Sequence, residues 1–345
     1  MLKLLFNMVE TGLVPDWVIR AGIRNRNHAR LKREERENPG IARYAQMLRE
    51  TPVATHTSAA NEQHYELPPA FFDLVLGPRR KYSSCLYTEG VNSLAEAEEA
   101  SLQASCDHAD LQDGQTILEI GCGWGSLTLW MAEHFPNSKI HSFSNSVPQR
   151  DFIRGKLAER GFSNVCVETA DMNVFDPDNF GWPTGQFDRI VTIEALEHMK
   201  NYDVVFERFS RWLKEDGKAF IHIFVHKDKP YPFIAESDED WMAKFFFAGG
   251  HMPARDLFDQ FDRHMKVDAK WDWNGGDYGR TARAWLNNQD ANRDAIMPIM
   301  GQVYGTSDAG KWFQRWRIFF MAVEELFAHG DGTEWFVTHY RLVKR

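Results

Sequence analysis

Paired cysteines are missing from this chain. Cys85, Cys106, Cys122 and Cys166 lie far apart with no Cys-x-x-Cys spacing, so neither a disulfide framework nor a zinc site is expected, and no metal is called for. Long apolar runs are missing too: none approaches the roughly 20 residues that span a bilayer. The opening Met1-Leu2-Lys3-Leu4-Leu5-Phe6 is interrupted by Asn7 and Glu10 too soon for a secretory signal. These absences lead to the expectation of a cytoplasmic protein with no stable membrane insertion. A basic surplus is also lacking, since 40 Lys and Arg against 49 Asp and Glu leave a formal charge of −9. That balance argues against a nucleic-acid partner and suits attraction of a cationic small molecule.

What is present is ordinary globular material. The 345 residues are 43% hydrophobic and 26% charged, with 25 Phe and 12 Trp, enough for one large domain or two modest ones. Residues 1–55 read as a helical arm studded with Arg20, Arg24, Arg26, Arg30, Lys32, Arg33 and Arg36 and ending near Asn38-Pro39-Gly40. A basic amphipathic helix on an anionic membrane is the alternative reading. Glu34, Glu35 and Glu37 dilute its charge and favour a solvated arm.

From about residue 115, short β-branched runs alternate with amphipathic helices, the pattern of a βαβ series and a parallel sheet. The runs predict strands at Thr116–Ile120, Lys139–Ser144, Val165–Thr169, Phe187–Ile193 and Lys218–Val225. Helices are expected at Ser126–His134, Gln149–Arg160 and Tyr202–Leu213, the last closed by a turn at Lys214-Glu215-Asp216-Gly217. Residues 56–228 therefore read as a doubly wound α/β core. Residues 229–330 read as a Pro- and aromatic-rich cap with a long helix at Lys311–Phe327, interleaved with a core strand near 264–274. Residues 331–345 hold the last strand, Trp335–Val343. A cap placed there lies over the carboxyl ends of the strands, where open α/β folds bind ligands.

The phrase Leu118-Glu119-Ile120-Gly121-Cys122-Gly123-Trp124-Gly125 ends a strand and opens a helix, with glycines that let backbone turn sharply against a ligand. A dinucleotide fingerprint would want its third glycine where Ser126 stands, and an acid ending the second strand; neither is present. The phrase instead resembles motif I of class I methyltransferases. His64-Tyr65-Glu66-Leu67-Pro68, Leu76-Gly77-Pro78, Tyr82-Ser83-Ser84-Cys85, Asn145-Ser146 with Gln149, and Glu194 through Tyr202 are similar to the group joining cyclopropane-fatty-acid synthases with coclaurine-type N-methyltransferases. The resemblance runs over nearly the whole chain and favours the amine N-methyltransferases through Glu197-His198-Met199-Lys200-Asn201-Tyr202, Phe245-Phe246-Phe247-Ala248-Gly249-Gly250 and Arg317–Phe327.

It implies a Rossmann-like class I fold with a mostly parallel seven-stranded sheet, and S-adenosylmethionine (SAM) as cofactor. By the same resemblance Tyr82 and Ser83 close over the cofactor and Gly121 and Gly123 touch its amino-acid part. Ser144, Asn145 and Gln149 take the ribose side, and Asp171 and Met172 flank the adenine. The expected partner is a small amine, and a homodimer is left open.

Glu194, Glu197 and His198 are spaced i, i+3, i+4, so a helix starting at the end of strand Phe187–Ile193 would aim all three into the cleft. An amine must be neutral to attack, and a carboxylate or imidazole can hold its cation and take its proton. His198 is expected as proton acceptor, Glu194 as the group binding the amine, and Glu197 as an orienting or lining residue. Trp241, Phe245, Trp316 and Phe319 are candidates to line the substrate pocket, by stacking or cation–π contact.

The rival enzyme is a lipid-modifying cyclopropane synthase, whose family holds a bicarbonate with a cysteine, a Glu, a His and a late tyrosine. Those positions align here with Ser84, Glu197, His222 and Phe319, so two of the four are lost. A catalytically silent SAM-binding protein is the alternative of a different class.

Overall fold

The computed structural model describes residues 8–54, 67–182, 184–234, 241–246 and 249–345. His64-Tyr65-Glu66 and Phe247-Ala248, named above, lie outside those residues. Helices α1 (Asp16–Glu37) and α2 (Ile41–Arg49) open the chain, followed by α3 (Pro69–Val75) and α4 (Leu94–His108). Helix α4 starts at a reciprocal cap: Ser93 Oγ accepts from the Glu96 backbone, and the Glu96 carboxylate accepts from the Ser93 backbone.

The alternation expected from the sequence then follows: β1 (Thr116–Ile120), α5 (Ser126–His134), β2 (Lys139–Ser144), α6 (Val147–Arg160), β3 (Val165–Thr169), β4 (Phe187–Ile193), α7 (Tyr202–Trp212) and β5 (Leu213–His226). A short ribbon pairs β6 (Tyr231–Pro232) with β7 (His251–Met252), flanking α8 (Trp241–Phe245). The chain closes with β8 (Met265–Trp273), α9 (Gly275–Ala291), α10 (Arg293–Tyr304), α11 (Ala309–Phe327) and β9 (Trp335–Lys344). The expected turn at 214–217 is instead part of β5. The register with β4 steps from Phe187↔Leu213 to Arg189↔Lys218, so those residues bulge from the ladder without ending the strand.

The sheet has seven strands in the order β3-β2-β1-β4-β5-β9-β8, parallel except for β9, which runs antiparallel to both neighbours. Strand order reverses at β1, flanked by β2 and β4, so ligands belong beyond the carboxyl end of β1. One face is covered by α7, which buries Val205, Phe206, Phe209 and Trp212. Each such large apolar side chain contributes about 1.5–3 kcal/mol of burial. The other face packs on α4, α5 and α6 through Leu102, Leu127, Met131 and Ile153. A third core, rich in Trp and Phe, joins α3 to α9, α10 and α11.

The arm's basic residues are partly committed to this third region. Arg20, 8% exposed, donates to Glu324 and Glu325 of α11, Arg24 reaches Glu325, and Arg317 of α11 answers to Asp16. Among the described residues no helix is long and apolar enough to cross a membrane.

Candidate active site

Strand β1 delivers the chain into a loop whose glycines all take positive φ: 76° at Gly121, 52° at Gly123 and 80° at Gly125. A Cβ on Gly121 would stand 2.6 Å from the Cβ of Ala195, whereas one on Gly123 would meet nothing within 4 Å. Gly121 thus permits a close approach to the end of β4, and Gly123 leaves open space for a ligand. Beneath the loop Glu119, 3% exposed, accepts from Thr128 Oγ1 at 2.5 Å and Ser142 Oγ at 2.7 Å, tying β1 to α5 and β2. Burial pushes its carboxyl up to about 7. Glu119 stood in the motif read from the sequence but carried no role there.

At the end of β2, Ser144 Oγ donates to Gln149 Oε1 at 2.6 Å and accepts from the Ser146 backbone at 3.1 Å. Gln149 is 1% exposed, and its Nε2 has no hydrogen-bond partner among the described residues. A buried amide donor without an acceptor costs about 1–3 kcal/mol, so Gln149 Nε2 is placed to take a ligand oxygen. That donor fits a sugar-bearing cofactor. After β3, the Asp171–Asn173 turn is fixed by Asn173 N donating to Asp171 Oδ1 at 2.8 Å, and by Arg208 on the carbonyls of Met172 and Asn173. Met172 is buried, Asp171 half-buried, and Asn145 adjoins Ser144 at the exit of β2.

The segment before α4 folds round a buried carboxylate. Glu98 accepts from the backbone N–H groups of Arg79 (2.7 Å) and Lys81 (3.0 Å), and burial raises it to about 7. Lys81, 1% exposed, donates through Nζ to Ser83 Oγ and the Ser84 carbonyl. The Tyr82 ring packs 5.4 Å from both Phe72 and Trp285. The Ser84 backbone N–H then reaches Glu194 Oε1 at 3.3 Å, which links this covering segment to the reacting end.

The reacting end departs from the expected helix face. Glu194 has φ of 44°, in the left-handed region, and Ala195 is non-helical at φ −125°. Only a single 3-10 turn, Leu196–His198, follows. A non-glycine left-handed residue costs on the order of 1–3 kcal/mol and points to a positional demand. That demand is visible in the Glu194 carboxylate. Oε2 accepts from Tyr278 OH at 2.8 Å, while Oε1 lies 3.3 Å from both Ser84 N and His222 Nε2.

Tyr278 was not found from sequence; it stands in the first turn of α9, 84 residues away. Gly275 places it there. A Cβ at 275 would collide with the Trp335 and Phe327 carbonyls at 2.1 and 2.4 Å, so only glycine lets α9 start against β9.

Glu197 is 2% exposed, and its Oε2 has no hydrogen-bond partner among the described residues. Burial, with the neighbouring Glu194 adding to it, lifts its carboxyl well above the usual range. Glu194 is likewise raised by burial, with Lys81, Tyr278 and Ser84 pulling it back. Burial pushes His198 down to about 4, leaving a neutral imidazole at neutral pH. A Cβ on Gly250, just before β7, would lie 3.5 Å from His198 Nδ1, so the cap segment packs directly on that ring.

Trp241, Phe245, Trp316 and Phe319 come together in one cluster. Phe319 stacks on Phe246 at 4.5 Å, Trp316 meets Phe246 at 5.1 Å, and Trp241 lies 5.5 Å from Phe245. Trp241 Nε1 donates to Glu10, which is also held by Arg315. Ring contacts continue from Trp316 through Phe320 and Trp285 to Tyr278, which brings the cluster's far edge to Glu194.

Comparison with known proteins shows the family of this chain. The family model described as mycolic acid cyclopropane synthetase matches residues 53–333. The (S)-coclaurine N-methyltransferase of Thalictrum flavum subsp. glaucum is 32% identical over 351 residues, covering 99% of this chain and 95% of that protein. The cyclopropane-fatty-acyl-phospholipid synthase of Escherichia coli strain K12 is 29% identical over 229 residues, covering 65% of this chain and 54% of that protein. A crystal structure of coclaurine N-methyltransferase bound to N-methylheliamine and S-adenosylhomocysteine superposes with a TM-score of 0.93 at 32% identity, over 99% of both chains. The chain belongs to the mycolic acid cyclopropane synthetase family, among its coclaurine N-methyltransferase relatives, and is a SAM-dependent methyltransferase.

Proposed function

We propose that the protein methylates the nitrogen of a small aromatic or alkaloid-like amine, with Glu194 holding the ammonium and accepting its proton. The observation that carries this reading is the Glu194 carboxylate, buried and aimed by Tyr278, Ser84 and His222 at the carboxyl end of β4. SAM supplies a sulfonium-activated methyl carbon. The nine residues expected to hold it are Tyr82, Ser83, Gly121, Gly123, Ser144, Asn145, Gln149, Asp171 and Met172. The buried, unpaired Gln149 donor and the open side of Gly123 support that assignment.

The proton goes to Glu194 rather than His198, which reverses the order expected from sequence. A base is effective when its affinity for the proton approaches that of its donor. Burial raises Glu194 and lowers His198, so the carboxylate is the better acceptor and the neutral imidazole the better orienting partner. Burial, with the neighbouring Glu194 adding to it, disfavours the charged form of Glu197 and so works against a second negative charge beside Glu194. The amine's lone pair then forms the N–C bond as the C–S bond breaks, and positioning supplies most of the acceleration.

Trp241, Phe245, Trp316 and Phe319 form the apolar wall against which an aromatic amine would pack. The lipid reading is weakened at two points: the Ser84 hydroxyl is turned to the Cys85 carbonyl, and Phe319, stacked on Phe246, has no donor to anchor an anion. A panel of primary, secondary and tertiary amines, read by S-adenosylhomocysteine release and product mass, tests the proposal. Turnover with aromatic secondary amines is expected. Methyl incorporation into phospholipid with no amine turned over would overturn it.

A further inference from the structure

Two buried histidines and a half-buried third continue from Glu194 across the sheet. His222 Nε2 lies 3.3 Å from Glu194 Oε1, His222 Nδ1 lies 2.7 Å from His339 Nε2, and His339 Nδ1 lies 2.8 Å from His108 Nδ1. The first step across is built into the ladder. His222 of β5 pairs directly with His339 of β9, so the two rings share a face. His108 is the last residue of α4, which packs over that face, and it is half-buried. Tryptophans hold the order: Trp271, opposite His339 in β8, stacks on His108 at 4.1 Å and 5°, and Trp273 lies 4.1 Å from His339.

We propose that His222, His339 and His108 form a proton relay that carries the amine's proton from Glu194 to solvent beyond α4. The proposal rests on Glu194 as proton acceptor. When the amine arrives protonated, methyl transfer releases one net proton: an ammonium and a sulfonium become a methylated ammonium, a thioether and a proton. Glu194 is enclosed, with a side chain only 9% exposed, so that proton needs a route out.

In the relay Glu194 gives it to His222 Nε2 as the Nδ1 proton passes to His339 Nε2. The His339 Nδ1 proton passes to His108 Nδ1, and the His108 Nε2 proton leaves to water. Each ring gains one proton and loses one, and resets by turning over. Burial lowers all three imidazoles, with Lys81 adding to the effect on His222 and His339, so the rings rest neutral and ready to carry a proton. His108 also faces Arg341, which lowers it further, and Asp107, which opposes.

The alternative is that the three rings only satisfy one another's hydrogen bonds. His108→Phe separates the two, because it keeps a ring on Trp271 and removes the outlet; His339→Leu breaks the middle. At neutral pH each variant should lose about tenfold or more in kcat with a secondary amine, within the range of general acid–base effects. S-adenosylhomocysteine affinity should hold.

The loss should shrink as pH rises past the amine's own pKa, since a neutral amine delivers no proton to remove, and imidazole buffer should restore part of the rate. An unchanged kcat in folded His108→Phe, or a loss equal at every pH and untouched by imidazole, overturns the relay. If Glu194→Gln itself turns over normally, the reading of Glu194 as acceptor fails first. Full loss in Glu194→Gln with normal His108→Phe fails the relay alone.

Discussion

The cofactor loop and the reacting end meet at Gly121 and Ala195, yet they are made of different things. The loop is backbone: a run of positive-φ glycines inside one short stretch, shaped by β1 and α5. The reacting end is mostly side chain, with Glu194 from the end of β4, His222 from β5 and Tyr278 from α9, joined by the Ser84 backbone N–H from the segment before α4. A site of the first kind is local and binds by shape. A site of the second kind exists only once distant segments have packed, and it can be altered one group at a time.

The largest effect should come from Glu194→Gln. It keeps the size of the side chain and the Tyr278 contact but removes the proton acceptor, so kcat should fall about 10²–10⁴-fold. S-adenosylhomocysteine affinity, measured by calorimetry, should stay within a factor of about two to three. Equal losses of turnover and cofactor affinity would show that the two regions are one unit and that Glu194 braces the loop.

Gly121→Ala attacks the seam between them. The new Cβ meets Ala195 at 2.6 Å in a backbone conformation disfavoured for any side chain. Cofactor affinity should drop about 10- to 100-fold for a cost of ~1–3 kcal/mol. Because Ala195 adjoins Glu194, kcat should fall as well. Ala195→Gly in the same chain relieves the clash and should return part of both losses; no recovery would place the damage in the loop backbone alone.

The same division decides what could be read from the sequence. β1 to β4 matched their β-branched runs because each is a short strand bounded by turn residues, a signal carried by adjacent positions. The glycine loop was legible for the same reason. Lys214-Glu215-Asp216-Gly217 misled because the composition of a turn also suits a bulge. Glu194, Glu197 and His198 lie near enough to interact electrostatically, but their helical spacing was not their geometry, since φ at Glu194 breaks the helix before it forms. Tyr278 and His339 gave no sequence signal. Their meaning comes from a glycine-permitted helix start and from a strand register, both set by tertiary packing.

The smallest and most local effect belongs to Glu119, the acid under the glycine loop. Its carboxyl is raised by burial from the usual 4.5 to about 7, so the folded chain keeps a proton that the unfolded chain gives up at lower pH. Stability from this group is full below about pH 4.5 and falls as pH rises towards about 7. Above that the folded state carries a buried charge costing about 3 kcal/mol. Glu119→Gln keeps an acceptor for Thr128 and Ser142 and removes the titration. Its melting temperature should therefore match the parent near pH 5 and exceed it by a few degrees near pH 8. An advantage at pH 5, or a deficit at pH 8, would mean that the carboxylate itself is needed to brace the loop, and that the backbone site depends on a charge after all.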